Sequence, residues 1–209
     1  MIIKENSLVL FQGDSVTDWG RSYEDGDSLG HGYVLFAAGL YNAMHPEMNV
    51  KFINRGIGGN RIEDLVTRWR KDCLEIQPDV VSILIGINDT WRRYDNNDPT
   101  SVEQFFAHYH FLLTETKEKL GAKIILCEPF LLPVTEEQRS IWREDLDPKI
   151  HATRELAREF NAVYVPYDGI FAAASMKQPL AYWSLDGVHP TPAGFALMGK
   201  HWLEAVEAI

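Results

Sequence analysis

The chain has 209 residues, of which 45% are hydrophobic and 24% are charged, a balance typical of a globular protein with its own core. We expect one domain that spans residues 1–209. The formal net charge of −10 repels nucleic-acid phosphates and anionic membrane surfaces. The N-terminal apolar run is too short for a signal peptide, and no stretch approaches the ~18 apolar residues of a membrane span. Composition therefore predicts a cytoplasmic protein that binds neither nucleic acid nor membrane.

Short apolar runs alternate with longer amphipathic stretches along the chain. The runs are bounded by Gly, Pro, Asp or Asn, and continuous apolar runs are typical of parallel strands covered on both faces. The predicted strands are residues 7–11, 50–54, 79–85, 123–127 and 162–165. Between them, apolar residues recur at spacings of three and four, which predicts helices. This alternation favours an α/β fold with a central parallel sheet and right-handed crossovers.

Two of the four predicted helices have sequence signals for their N-terminal ends. The apolar stripes fall within residues 62–76, 105–120, 150–160 and 195–209. For the second helix, Thr100 and Glu103 have the spacing of a capping box. For the last helix, Thr191 is the predicted N-cap, and Pro192 suits the first turn. The charged segment 133–146 has no such pattern, and a lid, an interface and an ordinary helix all remain open for it.

Small, polar, glycine-rich segments follow the first three predicted strands. They are residues 13–15, 56–60 and 86–89. The carboxyl ends of parallel strands share one edge of the sheet, where ligands bind in open α/β folds. A fourth segment, residues 186–190, directly precedes the last helix. We therefore expect any chemistry to be carried by these four segments.

The four segments contain the parts of a nucleophilic hydrolase. Ser15 needs a base to remove its proton, and the imidazole of His189 titrates near neutrality. Asp186 lies three residues before His189, so a turn can bring its carboxylate to Nδ1 and leave Nε2 facing Ser15. The backbone N–H groups of Ser15 and Gly59 and the side-chain amide of Asn88 are predicted donors to the oxyanion. Each segment alone is more often a simple turn or helix cap.

In this combination the sequence resembles the GDSL/SGNH hydrolase family, and the likeness extends from Phe11 to the last helix. The four marker residues of that family match Ser15, Gly59, Asn88 and His189, and Asp186 completes the triad. Val16 stands where the family name has leucine. Gly56 and Gly58 are alternatives for the oxyanion glycine, but the family pattern of Asn54 followed by a glycine five residues later selects Gly59.

Residues 13–21 and 86–95 look like those of the intracellular acetylxylan esterases within this family. The resemblance implies a three-layer α/β/α sandwich, flavodoxin-like, with a central parallel sheet. It implies removal of acetyl groups from small-molecule or oligosaccharide esters such as acetylated xylo-oligosaccharides. It also implies a homo-oligomer that uses no metal or nucleotide cofactor. Lysophospholipase, thioesterase and arylesterase activities occur in the same family and remain alternatives, as does a non-catalytic carbohydrate- or nucleotide-binding protein on this scaffold.

Residues beside the motifs are candidates for substrate binding. Aromatic faces stack on sugar rings, which makes the aromatic residues that flank the motifs candidates, and packing at the rim or in the core is the alternative for each. They are Trp19, Trp91, Tyr94, Tyr182 and Trp183. Asp14 is a further candidate, although bracing the turn around Ser15 is the simpler role. The histidines form no His-Glu-x-x-His pattern, so we expect no metal site. Cys73 and Cys127 are expected to be buried free thiols.

Overall fold

Five parallel strands form the centre of the structure, a computed structural model that describes residues 2–207. The strands are β1 (Leu8–Gly13), β2 (Lys51–Asn54), β3 (Val80–Leu84), β4 (Lys123–Cys127) and β5 (Val163–Val165). Their order in the sheet is β2-β1-β3-β4-β5, and each neighbouring pair is parallel. The register sets Phe11 of β1 opposite Asn54 and Ser82. The predicted strands are thus confirmed to within two residues at each end.

Helices cover both faces of this sheet. They are α1 (Ser15–Asp18), α2 (Tyr33–Met44), α3 (Ile62–Trp69), α4 (Ile87–Asp95), α5 (Val102–Leu120), α6 (Arg143–Glu159), α7 (Tyr167–Ser175), α8 (Leu180–Trp183) and α9 (Pro192–Glu207). A 3₁₀ turn (Pro46–Met48) and two π-helical turns (Arg70–Leu74 and Gln138–Trp142) supplement them. Residue 209, the predicted end of the last apolar stripe, lies outside the described residues. The expected three-layer α/β/α architecture is confirmed.

Alternate side chains of the strands point into two separate cores. On one face, Phe11 packs with Trp202 of α9 and with residues of α2 and α7. On the other face, Leu10 packs with α3, α5 and the C-terminal half of α6. Full burial of a large apolar side chain stabilises a fold by about 1.5–3 kcal/mol, and both cores contain many such side chains. Trp202 also donates a hydrogen bond from Nε1 to Ser82 Oγ at 3.0 Å, so its polar atom is satisfied in the core.

The start of α5 differs from the prediction. Ser101, not Thr100, is the N-cap: its Oγ accepts from Gln104 N at 3.2 Å, and Gln104 Oε1 accepts from Ser101 N at 3.1 Å. The box therefore lies one residue later, because Thr100 is buried near Asp89 and Ser101 is the exposed hydroxyl at the helix start. At α9, Thr191 Oγ1 accepts from Gly194 N at 3.3 Å, as expected of the predicted cap.

Two further expectations concern the chain as a whole. Cys73 and Cys127 are both free and buried. Burial raises the pKa of each thiol to about 12, so neither is a reactive thiolate. In the described segment, no helix is long and apolar enough to cross a membrane.

Candidate active site

The serine lies where β1 passes into α1, at the carboxyl edge of the sheet. Asp14 is the N-cap of this short helix, and its Oδ1 accepts a hydrogen bond from Val16 N at 3.0 Å. Ser15 follows as the first helical residue and is partly exposed, whereas Asp14 and Val16 on either side are buried. The turn therefore presents one hydroxyl at the sheet edge.

One hydrogen bond joins the serine to the C-terminal loop, residues 184–190, and a second bond continues within that loop. Ser15 Oγ lies 2.9 Å from Nε2 of His189, although the two residues are 174 positions apart in sequence. His189 Nδ1 lies 2.6 Å from Asp186 Oδ2. The structure thus brings together the three residues predicted as a triad, with each ring nitrogen facing the predicted partner.

Asp186 is organised to stay ionised. Partial burial opposes its charge, but hydrogen bonds from His189 and from the backbone N–H groups of His189 and Val188 outweigh burial and lower its pKa. Its Oδ1 accepts from His189 N at 2.8 Å and from Val188 N at 2.9 Å. An ionised carboxylate in this position stabilises an imidazolium and fixes the neutral ring with its proton on Nδ1.

Ser184 is a residue of this loop that sequence reasoning missed. It is fully buried, and its hydroxyl lies 3.1 Å from Asp186 Oδ1 and 2.8 Å from the carbonyl oxygen of His189. It also accepts from Gly187 N at 2.9 Å. A serine two residues before an aspartate is a common turn pattern, so the sequence offered only a weak signal.

The loop after β2 contains three glycines, and their N–H groups differ. Gly56 donates to Asn54 Oδ1 at 2.8 Å, and Gly58 donates to Asp18 Oδ2 at 3.0 Å. Gly59 has a φ of +80°, a conformation that favours glycine. Within residues 2–207, the N–H of Gly59 has no hydrogen-bond acceptor. Of the three candidates, Gly59 is therefore the one with a donor available for a ligand.

Asn88 stands at the start of α4, just after β3. Its side chain is almost fully buried, and Nδ2 donates to the carbonyl oxygen of Asn60 at 3.1 Å. The neighbouring Asp89 accepts from Ile62 N at 3.2 Å, and burial raises the pKa of Asp89 to about 7. These two contacts fix the end of the glycine loop against α4. The amide of Asn88 has a second proton, which leaves one donor for a ligand.

Two of the residues predicted to bind substrate lie away from the surface around Ser15 and His189. Asp14 is 1% exposed beneath Ser15, so it braces the turn and is not accessible to a substrate at the surface. Trp183 is also misplaced: it packs against the core of the α2 face and borders a separate groove between α7 and α9. An aromatic or acidic residue beside a motif in sequence can thus point away from it in space, and for Asp14 the structure has the simpler role of bracing the turn.

Other aromatic rings do approach the imidazole. The ring centroid of Trp91 lies 6.1 Å from that of His189, and Tyr94 stacks on Trp142 at 5.7 Å next to it. On the other side, Trp19 lies 5.4 Å from His189 and is 37% exposed. Trp19 directly follows α1 and is one of the aromatic candidates from the sequence. Trp19 and Trp91 therefore flank the imidazole of His189 with aromatic surface.

No prosthetic group is suggested by the donor set. Across the part of the chain that the structure describes, no group of three or more His, Cys, Asp or Glu side chains could hold a metal ion. The polar groups at the sheet edge are instead one hydroxyl, one imidazole, one carboxylate and a set of N–H donors. Such a set can activate a hydroxyl and bind a developing negative charge.

This geometry and the comparisons with known proteins agree on the class of protein. Residues 11–197 match the model of the GDSL-like lipase/acylhydrolase family, so the chain belongs to that family. It is a carboxylic ester hydrolase on an α/β fold.

Among its relatives is an acetylxylan esterase from Geobacillus stearothermophilus, 34% identical over 99% of this chain and 96% of the relative. The solved structure of that esterase superimposes with a TM-score of 0.92 at 33% identity, covering 99% of this chain and 96% of the other. A structure described as a GDSL-like lipase from Parabacteroides merdae gives a TM-score of 0.94 at 40% identity over 99% and 98% of the two chains. Other structures of the Geobacillus enzyme are described as catalytic mutants, in which a serine, an aspartate or a histidine is replaced by alanine.

Proposed function

We propose that this protein is a serine esterase that removes acetyl groups from carbohydrate esters such as acetylated xylo-oligosaccharides. The observation that carries the proposal is the pair of hydrogen bonds from Ser15 Oγ to His189 Nε2 and from His189 Nδ1 to Asp186. This relay is what a serine nucleophile needs at neutral pH, because an unassisted hydroxyl is a weak nucleophile.

In the first half-reaction, Ser15 Oγ attacks the ester carbonyl as His189 Nε2 takes its proton. The tetrahedral intermediate collapses when His189 returns that proton to the departing sugar oxygen, which leaves an acetyl-serine. In the second half-reaction, His189 removes a proton from water, the hydroxide attacks the acetyl-serine, and acetate leaves as Ser15 regains its proton. Asp186 remains ionised throughout and stabilises the imidazolium.

The negative oxygen of both tetrahedral intermediates needs donors that are already in place. The N–H of Ser15, the N–H of Gly59 and the second amide proton of Asn88 are the groups available for it. In favour of this role, the neighbouring Gly56 and Gly58 already donate within the protein, whereas Gly59 does not. Asn88 is anchored through Asn60, so its amide needs little reorganisation during reaction.

Support for a carbohydrate ester comes from the relatives and from the border of the site. The related Geobacillus enzyme is an acetylxylan esterase, and its replaced aspartate and histidine are three positions apart, as Asp186 and His189 are here. Trp19 and Trp91 flank the imidazole with aromatic surface, on which sugar rings can stack.

The decisive test measures acetate release from acetylated xylo-oligosaccharides by the wild-type protein and by Ser15→Ala. We expect Ser15→Ala to lose nearly all activity with an unchanged melting temperature. Ser175→Ala is a matched control, because Ser175 is a partly buried serine at the end of α7 whose hydroxyl bonds only within its own helix end. An organophosphonate should label the wild-type protein on Ser15 and leave Ser15→Ala unlabelled. Full activity in Ser15→Ala would refute the nucleophile.

A series of 4-nitrophenyl esters of increasing acyl length separates the proposed deacetylase from a lysophospholipase or thioesterase. For a deacetylase, kcat/KM falls steeply beyond about four carbons. A value that rises with chain length would favour the long-chain alternative and would overturn the acetyl preference, while leaving the triad intact.

A further inference from the structure

A buried glutamine, Gln138, lies against the loop that contains Asp186 and His189. It is 7% exposed and begins the π-helical turn Gln138–Trp142. Its Nε2 donates to the backbone carbonyl oxygen of Asp186 at 2.7 Å. Its Oε1 accepts from Val134 N at 2.9 Å and from Thr135 N at 3.3 Å. One side chain thus ties the Asp186 backbone to a segment that is 48 or more residues away in sequence.

The loop is shaped to receive this side chain. Gly187 has a φ of +89°, and a Cβ on it would lie 2.6 Å from Gln138 Oε1 and 2.8 Å from the carbonyl oxygen of Leu132. Leu132 N also donates to the carbonyl oxygen of Gly187 at 2.9 Å. The two accepting carbonyls belong to consecutive residues, so the segment 132–138 supports the loop backbone at both Asp186 and Gly187.

The contacts of Asp186 show why such a support matters. Every hydrogen bond to its carboxylate comes from the same loop: from Ser184, Val188 and His189. The Asp186–His189 pair is therefore a self-contained unit, and its internal bonds do not fix its distance from Ser15. That distance depends on contacts between the loop and the rest of the protein, and Gln138 provides a side-chain contact of this kind.

We propose that Gln138 is a positioning residue that holds the Asp186–His189 loop at the distance from which the imidazole reaches Ser15. The inference rests on the proposed function, since it requires His189 to act on Ser15. Loss of the Nε2–carbonyl bond lets the loop shift as a unit, so the Asp186–His189 bond persists while the 2.9 Å contact between Ser15 and His189 lengthens. Displacement by about 1 Å at a reacting group lowers rates by about 10²-fold.

Gln138→Glu tests this role with the least change in size. The new carboxylate still accepts from Val134 N and Thr135 N, but it presents an oxygen to the Asp186 carbonyl in place of a donor. Gln138→Met, similar in length and uncharged, is the second variant and serves if the first does not fold. Thr116→Val is the matched control for a loss of stability. Thr116 is fully buried and accepts a hydrogen bond from Trp69 Nε1 at 3.2 Å. It lies near the end of α5, which leads to the start of β4 and so to the edge of the sheet opposite Ser15.

The measurements are kcat and KM for 4-nitrophenyl acetate, the melting temperature, and the rate at which an organophosphonate labels Ser15. The labelling rate reports activation of the hydroxyl without the ester substrate. We expect Gln138→Glu or Gln138→Met to lower kcat and the labelling rate by a similar factor, about 10–100-fold, with KM within about twofold. Thr116→Val should keep the wild-type kcat and labelling rate.

Two results would overturn the role of Gln138: wild-type kcat in the folded variants, or an equal loss of kcat in Thr116→Val at a similar melting temperature. Failure of the proposed function has a different signature, because Ser15→Ala would then keep its activity and no label would appear on Ser15 in the wild-type protein. The same assays therefore separate an error about Gln138 from an error about the nucleophile.

Discussion

Replacing Asp14 by asparagine should change how the stability of the protein depends on pH. Asp14 is buried beneath Ser15, and burial raises its pKa from 3.8 to about 7 despite opposing contributions from the Val16 N–H and from His189. A carboxyl with a raised native pKa holds its proton in the folded protein at pH values where the unfolded chain has lost it. Stability is therefore lost as pH rises between these two pKa values. Asparagine keeps the N-cap acceptor and has no proton to lose.

The size of the effect follows from the two pKa values. Each unit of pKa difference corresponds to about 1.4 kcal/mol, so ionisation of Asp14 costs on the order of 4 kcal/mol once the pH exceeds about 8. At pH 5 the cost is about 1.5–2 kcal/mol. We therefore expect the free energy of unfolding of Asp14→Asn, relative to wild type, to increase by roughly 2–3 kcal/mol between pH 5 and pH 8.

Urea unfolding at pH 5, 6, 7 and 8 measures this difference directly. Titrating groups that do not interact with Asp14 are common to the two proteins and cancel in the comparison, and the pH 5 measurement serves as the internal control for any packing change. A stability difference that stays constant from pH 5 to pH 8 would show that burial of Asp14 does not raise its pKa in the folded protein. A difference that shrinks over this range would mean that the shift has the opposite sign.

Three further predictions concern the site. Asn88→Ala should lower kcat by about 10²–10³-fold with little change in KM, since its amide is proposed to bind the oxyanion; an effect on KM alone would indicate ground-state binding instead. Gly59→Ala should fold, because its Cβ would have nothing within 4 Å, but the φ of +80° costs about 1–2 kcal/mol, so both melting temperature and kcat should fall. Trp19→Ala should raise KM for acetylated xylo-oligosaccharides more than for 4-nitrophenyl acetate; equal changes would remove Trp19 from sugar binding.

The strands were predictable because both of their faces are buried. A strand such as β4 is a continuous apolar run between polar residues, and this pattern needs no knowledge of distant contacts. The same reasoning located Ser15 and Asn88, which follow strand ends directly. The glycine proposed to bind the oxyanion was chosen only through the family pattern, since what distinguishes the N–H group of Gly59 from those of Gly56 and Gly58 is the lack of a hydrogen-bond acceptor, which the sequence alone does not reveal.

Features that depend on the path of the chain could not be predicted in this way. Gln138 meets Asp186 only because the segment after β4 passes beneath the C-terminal loop, and a single glutamine in a charged segment has no distinguishing pattern. The positions of Trp19 and Trp183 also depend on the path of the chain, and the two residues end in different places. Both flank a motif in sequence, but the turn after α1 brings Trp19 to His189, whereas Trp183 packs into the core.

The start of α5 shows a smaller failure with a local cause. Thr100 and Ser101 are adjacent hydroxyl residues, and each is followed three positions later by a residue that can complete a capping box. The choice between them depends on which hydroxyl is required elsewhere. Thr100 is buried against Asp89, so Ser101 is the residue free to cap.

The short antiparallel bridge between Ser184 and Pro190 closes the C-terminal loop at its base. Asp186 and His189 therefore lie within one closed hairpin, and the contact of this hairpin with the β1–α1 junction is what depends on the rest of the fold. A circular permutant with its new break at an exposed turn remote from both segments should still form the contact between Ser15 and His189. Severing the chain between Asp186 and His189 would abolish it, however well the rest of the sheet forms.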